Sequence, residues 1–258
     1  MGYRMNLILV GSGTGIPLND RASPSLLLLM DGHTILIDMG PGTLRRLASL
    51  GLNHNRITQI FITHFHPDHT ADLIHFLFAT KNPEVLKKRA PFRITGPLGL
   101  GDFLRAIQRA YKTWLNIPPE IMEIEELDTL KPEERAYGSF NLFSRPVSHN
   151  PESLAYRIEN PSGEGLVYSG DTGFCDEIID LARNIGLLIL ECSFPEEKAM
   201  DGHLTPSLAG HIAASANARK LVLLHFYPDV LKTDIVRACR KTFHGELILG
   251  RDSLQISI

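Results

Sequence analysis

The sequence predicts an α/β fold, two mixed β-sheets with helices on their outer faces. Three observations lead there. Short apolar runs of strand length recur along the chain, and several end in a single residue suited to binding a metal. From residue 174 onward, strand and helix patterns alternate, the pattern of parallel strands joined by helices. The 258 residues, 43% of them hydrophobic, suffice for one sizeable core or two small ones.

Residues 7–10, 25–30 and 34–38 read as an opening run of strands. A short helix over 42–50 carries Leu44, Leu47 and Ala48 on its apolar side. Ile57-Thr58-Gln59-Ile60-Phe61-Ile62 is a buried strand, and a helix follows over 72–79. His75 in that helix lies among Leu73, Phe76 and Leu77 and reads as structural or wall-lining. An amphipathic helix spans 103–115 on Phe103, Leu104, Ile107, Ala110, Tyr111 and Trp114. Tyr111 and Trp114 are expected to pack, within a stretch from 80 to 127 that shapes the substrate pocket. Strands dominate from about 140 to 170, including a hairpin of 154–159 with 165–169 around Asn160-Pro161-Ser162-Gly163. Helices at 174–183, 206–216 and 234–241 then alternate with strands at 187–190, 221–224 and 246–249. With no domain-sized linker, repeat or low-complexity run, residues 1–258 are expected to form one domain.

Composition excludes several functions. A net charge of −3 gives no global basic footprint of a non-specific nucleic-acid binder. Lys87-Lys88-Arg89 and the set Arg105, Arg109 and Lys112 read as solvated helix faces. Gly11-Ser12-Gly13-Thr14-Gly15 lacks a lysine, is not G-x-G-x-x-G and opens no helix, which argues against a nucleotide loop. Cys175, Cys192 and Cys239 show neither zinc spacing nor a disulfide framework, as expected of a cytoplasmic protein. No signal peptide or membrane span is expected, so no membrane partner either.

The chemistry concentrates in Thr63-His64-Phe65-His66-Pro67-Asp68-His69, where four metal-capable side chains fall within six positions at the end of a strand. In an extended stretch, residues at i and i+2 point the same way, so His64 and His66 can face one point. Asp68 and His69 follow Pro67, which bends the chain, and can face a second. That suits two metal ions, each needing about four N or O donors with a position left for water. His149, Asp171 and His225 supply further donors, each closing an apolar strand. Histidine and aspartate suit zinc first, and manganese or iron as well.

These segments resemble the metallo-β-lactamase-fold hydrolase superfamily, and within it the ribonuclease Z-like branch. The resemblance rests on Gly11-Ser12-Gly13-Thr14-Gly15-Ile16-Pro17, Leu36-Ile37-Asp38-Met39-Gly40-Pro41-Gly42 and the motif from His64 to His69. It continues through Ser148-His149 with Ala155-Tyr156-Arg157-Ile158, Ser169-Gly170-Asp171-Thr172 and Glu191-Cys192-Ser193-Phe194, then His203-Leu204-Thr205-Pro206 and Leu224-His225-Phe226. It implies a four-layer αββα sandwich with two metals at one edge between the sheets. His64, His66 and His149 would hold one metal, Asp68, His69 and His225 the other, and Asp171 would bridge them. Asp68 would help activate the attacking water, and His203 would donate a proton to the leaving group, oriented by Glu191. The family's His-Ser-Thr reads His-Leu-Thr here. Arg21, in a shortened substrate-side loop, reads as an exposed turn residue with phosphate contact as the alternative. A homodimer is the assembly the resemblance allows.

The resemblance also implies a departure. Ribonuclease Z enzymes carry a long arm between the positions of His149 and Asp171 that grips transfer RNA, and residues 150–170 are too few for one. The expected activity is therefore a phosphodiesterase on a small substrate, a cyclic nucleotide or nucleotide-like ester, with transfer RNA 3′-endonuclease as the alternative. Hydrolysis of a lactam, lactone or thioester would use the same metals, but the glyoxalase-type signature after His149 is absent. A flavodiiron enzyme would have Glu at His66, and a non-catalytic scaffold would have lost a ligand or the acid.

Overall fold

The computed structural model describes residues 5–30 and 32–258. It contains two seven-stranded sheets. The first is built from β1 (Met5–Gly11), β2 (Ser25–Met30), β3 (His33–Ile37), β4 (Gln59–Phe61), β5 (Phe92–Pro97) and β6 (Met122–Leu127), with β14 (Gln255–Ser257) beside β1. The second holds β7 (Glu133–Ala136), β8 (Asn141–Pro146), β9 (Leu154–Glu159), β10 (Gly165–Tyr168), β11 (Leu187–Glu191), β12 (Lys220–Leu224) and β13 (Glu246–Leu249). Each sheet is antiparallel in its first part and parallel in its second: β3 to β6 run parallel in one, β10 to β13 in the other.

Strand alternation builds the layers. Leu7, Leu9, Leu26, Leu28, Ile35, Ile37 and Phe61 of the first sheet meet Leu142, Tyr156, Ile158, Leu166, Tyr168, Ile189 and Val222 of the second. The outer face of the first sheet packs under α1 (Thr43–Ser49), α3 (Asp72–Thr80) and α5 (Leu100–Tyr111), through Leu44, Leu47, Leu73, Phe76, Leu77 and Leu104. The other outer face packs under α6 (Asp176–Leu181), α7 (Pro206–Ser215) and α8 (Ile235–Cys239). Two single turns, α2 (Pro67–Thr70) and α4 (Pro83–Leu86), complete the helices described. The result is the expected αββα order.

Four strands escape the sequence reading for physical reasons. Strands β6 and β7 are edges written Met-Glu-Ile-Glu-Glu-Leu and Glu-Glu-Arg-Ala, whose charged residues leave no apolar alternation to read. Strand β14 gets its place by pairing Ile256 with Leu7, a contact no local window contains. Strand β5 ends in Gly96-Pro97 and looks like a turn. The helix expected at 103–115 begins earlier, at Leu100, after Gly99, and breaks at Lys112, so Tyr111 and Trp114 stay exposed instead of packing. They line a groove with Ala71, Ile74, His75 and Phe78. Arg89 is buried: its guanidinium donates to the carbonyls of His54 and Ile57 and lies over Phe76 and Phe92. Arg105 pairs with Asp102 at 2.6 Å.

Candidate metal centre

The parallel strands of both sheets deliver their carboxyl ends to one edge, where ligands of open α/β sheets gather. Asp38 and His225 directly follow β3 and β12, and His64 and Asp171 each stand three residues beyond the ends of β4 and β10. Asp38 and His225 both take left-handed backbone, φ 59° in each case, turning the chain at the strand end. His66 precedes α2, and Asp68 and His69 stand within it. Two glycines let the segments close. A side chain on Gly40 would strike the Asp68 carbonyl, and one on Gly170 (φ +59°) would come within 2.8 Å of Thr63 Cβ.

The structure brings all seven expected donor residues together. One donor atom each from His64, His66, His149 and Asp171 lie within 4.8 Å of one another, as do atoms from Asp68, His69 and His225. Asp171 stands between the groups. Its Oδ2 lies 3.9 Å from Nε2 of both His64 and His149, and its Oδ1 lies 3.2 Å from His69 Nε2 and 3.3 Å from His225 Nε2. Asp68 Oδ2 is 3.5 Å from His225 Nε2.

Outer partners aim the rings. His64 Nδ1 is 3.0 Å from Thr63 Oγ1, and His69 Nδ1 donates to Asp38 Oδ2 at 2.7 Å. His149 Nδ1 donates to the Gly202 carbonyl at 2.8 Å, and His225 Nδ1 is 2.9 Å from Ser193 Oγ. With Nδ1 occupied, Nε2 is left for the centre. His203 sits beside this cluster, its ring 4.9 Å from that of His149 and its Nδ1 2.9 Å from Glu191 Oε1. Glu191 is fully buried and also accepts from the backbone of Thr172 and Leu204 and from Ser193. His75 belongs to neither cluster; its side chain is largely exposed and faces Asp72.

Charge within the cluster is set by burial and neighbours. Burial, then His69, holds His64 well below the ordinary imidazole range, and burial also lowers His149. Burial alone would lift the Asp171 carboxyl, yet His225 and His69 hold it well below the usual carboxylate range. Burial alone would lower His69, but Asp171 and Asp38 raise it well above its usual value. His203 is likewise raised, Glu191 outweighing burial.

Four buried polar atoms converge here without a hydrogen-bond partner: Nε2 of His64, His69 and His225, and Oδ1 of Asp171. Leaving such an atom unsatisfied costs about 1–3 kcal/mol. Four such atoms shared between the two adjoining clusters, all hard or borderline donors, fit divalent cations.

Several of these partners escape the sequence reading. Asp38 closes an apolar strand with an acid, the same signal that singles out His149, Asp171 and His225. Ser193, Thr63 and the Gly202 carbonyl carry no such signal. Arg21 turns inward, donating to Ser12 Oγ at 2.8 Å and the Gly250 carbonyl at 2.7 Å, with its guanidinium over Phe226. It braces the glycine loop, whose Ser12 carbonyl accepts from the His225 amide.

A family model described as "Beta-lactamase superfamily domain" matches residues 33–226, three quarters of the chain. The chain belongs to that superfamily. It is a metallo-β-lactamase-fold hydrolase, and its His/Asp clusters are suited to holding metal. It is 28% identical to ribonuclease Z of Mycobacterium marinum over 98% of this chain and 99% of that protein. The short form of human tRNase Z superposes with a TM-score of 0.80 at 25% identity, covering 98% of this chain and 99% of the other. The fold is shared also with the metallo-β-lactamase fold protein YhfI of Bacillus subtilis, at TM-score 0.84 and 22% identity over the whole of both chains.

Proposed function

We propose that this chain is a binuclear metal-dependent phosphodiesterase acting on a small substrate, a cyclic nucleotide or nucleotide-like ester, through a single hydrolase domain. The observation that carries this is Asp171, whose two carboxylate oxygens face two separate donor clusters. In this reading His64, His66 and His149 hold one ion, Asp68, His69 and His225 the other, and Asp171 both, with zinc as the expected metal. Metal ions bound there would acidify water and withdraw charge from the phosphoryl oxygens.

The chain's own residues do the rest. Asp68 takes the proton of the attacking water as its oxygen bonds to phosphorus. His203, with Nδ1 held by Glu191, offers Nε2 to the departing alkoxide and protonates it as the other P–O bond breaks. Glu191 stabilises the imidazolium before transfer. A thioester releases a thiolate that departs without that proton, so the placement of His203 supports the phosphodiester over a thioester.

The size of the substrate rests on the segment between His149 and Asp171. Strands β9 and β10 pair directly, Glu159 opposite Gly165, and Asn160 closes the turn by accepting from the amides of Ser162 and Glu164. A turn this tight offers no arm for transfer RNA. The likeness to proteins named ribonuclease Z favours a second reading, transfer RNA 3′-end cleavage. The three free cysteines support a cytoplasmic setting, and no helix of the described residues is long and apolar enough to cross a membrane.

The test is hydrolysis of bis(p-nitrophenyl) phosphate by zinc-loaded protein beside Asp68→Ala, followed by cyclic nucleotides and a precursor transfer RNA. Turnover that vanishes in the variant, with cyclic nucleotides cleaved, is the expected result. Cleavage of the precursor alone selects the second reading. No phosphodiester turnover by metal-replete protein overturns both and points to lactams, lactones or thioesters.

A further inference from the structure

His66 is the exception among the site histidines. The other five are held at Nδ1, by Thr63, Asp38, Gly202, Glu191 and Ser193. His66 is held at the opposite nitrogen: its Nε2 lies 2.9 Å from Asn150 Nδ2, and its Nδ1 lies 3.3 Å from His149 Nε2. The tautomers follow from what each partner can do. The Gly202 carbonyl can only accept, so His149 carries its proton on Nδ1 and presents a bare Nε2. The Asn150 amide donates to a bare His66 Nε2, so the His66 proton sits on Nδ1 and points at His149. In this arrangement the two imidazoles satisfy each other.

A cation held by both rings needs both facing lone pairs free. His149 already complies. His66 must move its proton to Nε2, and an amide N–H there would then meet another N–H. A carboxamide has a donor end and an acceptor end of nearly the same shape, so a half-turn of the Asn150 side chain replaces donor by acceptor in place. We propose that Asn150 is the positioning residue of His66: its Oδ1 turns inward when the site is loaded, keeps the proton on Nε2 and leaves Nδ1 bare for the metal. The backbone is built for this. The Asn150 amide donates to Ser153 Oγ at 3.0 Å and its carbonyl accepts from Ser153 N at 2.9 Å, so the turn holds while the side chain rotates.

The proposal rests on the metal reading above, and its test separates the two. Long-range ¹H–¹⁵N correlation spectra of the wild-type chain, metal-free and zinc-loaded, report the His66 tautomer without any substitution. The proton is expected on Nδ1 without zinc and on Nε2 with it. Zinc titration against a competing chelator then compares Asn150→Asp, which keeps an acceptor, with Asn150→Leu, which removes it. Asn150→Leu is expected to bind one zinc equivalent about 10–100-fold more weakly, and Asn150→Asp to bind as the wild type does. Unchanged affinity in Asn150→Leu, equal losses in both variants, or a His66 proton that stays on Nδ1 with zinc bound overturns the proposal. A wild-type chain that takes up no zinc at all overturns the metal reading itself, and this proposal with it.

Discussion

Asp38→Asn tests whether outer hydrogen bonds hold the donor set in its binding form. Asp38 is fully buried. Its Oδ1 accepts from Thr63 N at 2.8 Å, and its Oδ2 accepts from His69 Nδ1 at 2.7 Å and from the Tyr168 hydroxyl at 3.3 Å. Asparagine keeps the shape but turns one oxygen into an NH₂. Placed at Oδ1, the NH₂ meets the Thr63 N–H, a backbone donor that cannot yield. Placed at Oδ2, it meets His69 Nδ1–H, which can yield only by moving its proton to Nε2, where the lone pair is needed. Either outcome costs about 1–3 kcal/mol, the penalty of one unsatisfied buried donor. At 1.4 kcal/mol per tenfold change, zinc affinity should fall about 5–150-fold, the range known for outer partners of metal-bound histidines. Competition with a chromophoric chelator measures the affinity, and far-ultraviolet circular dichroism checks that the variant is folded. A folded Asp38→Asn protein that binds zinc within about twofold of wild type would refute the reasoning.

Three further outcomes are expected. Stripping metal from loaded protein should lower Tm by about 5–10 °C, since a ligand present at a hundred times its Kd contributes about 2.7 kcal/mol; a calorimetric scan unchanged by chelator would contradict the metal reading. His203→Ala should keep its zinc but lose about 10²–10⁴-fold in turnover of a phosphodiester with an alkyl leaving group. It should lose far less with p-nitrophenyl esters, whose leaving group departs unprotonated; equal losses for both would remove His203 as the proton donor. Arg21→Ala should destabilise the chain by about 2–4 kcal/mol in urea unfolding, because two hydrogen bonds from a charged donor are lost, with KM unchanged. A raised KM at unchanged stability would return Arg21 to the substrate.

The candidate donors are legible because residues suited to a metal leave a chemical mark in the sequence. Histidine and aspartate at the end of an apolar strand have few reasons to be there, and His64, His66, Asp68 and His69 crowd one such end. Asp38 carried the same mark at the end of β3, yet a lone acid before Met-Gly-Pro-Gly also reads as a turn. Serine, threonine and asparagine are residue types common on surfaces, and only the distances of Ser193, Thr63 and Asn150 to His225, His64 and His66 distinguish them. Arg21 and Trp114 were misread in opposite directions. A charged side chain in a loop turned inward to brace Gly250, and an aromatic on a helical stripe stayed exposed where the helix broke at Lys112.

By itself the sequence pointed to two mixed sheets with helices outside them and to a candidate donor set. Strand and helix periodicities are local, and the seven candidate donors stand out by residue type at or just beyond the ends of apolar runs; His203 follows no apolar run and is marked only by the resemblance of His203-Leu204-Thr205 to the family's motif. The resemblance implied which donors share a cluster, and the structure places them so; the tertiary structure alone decided their distances and which nitrogen each histidine presents. Asp171 and His225 stand beside His69, more than a hundred residues away in the chain, because β4, β10 and β12 end at one edge. The tautomers depend on partners as distant as Asp38, Gly202 and Ser193, and hydrogen-bond direction depends on contact geometry that no stretch of sequence contains.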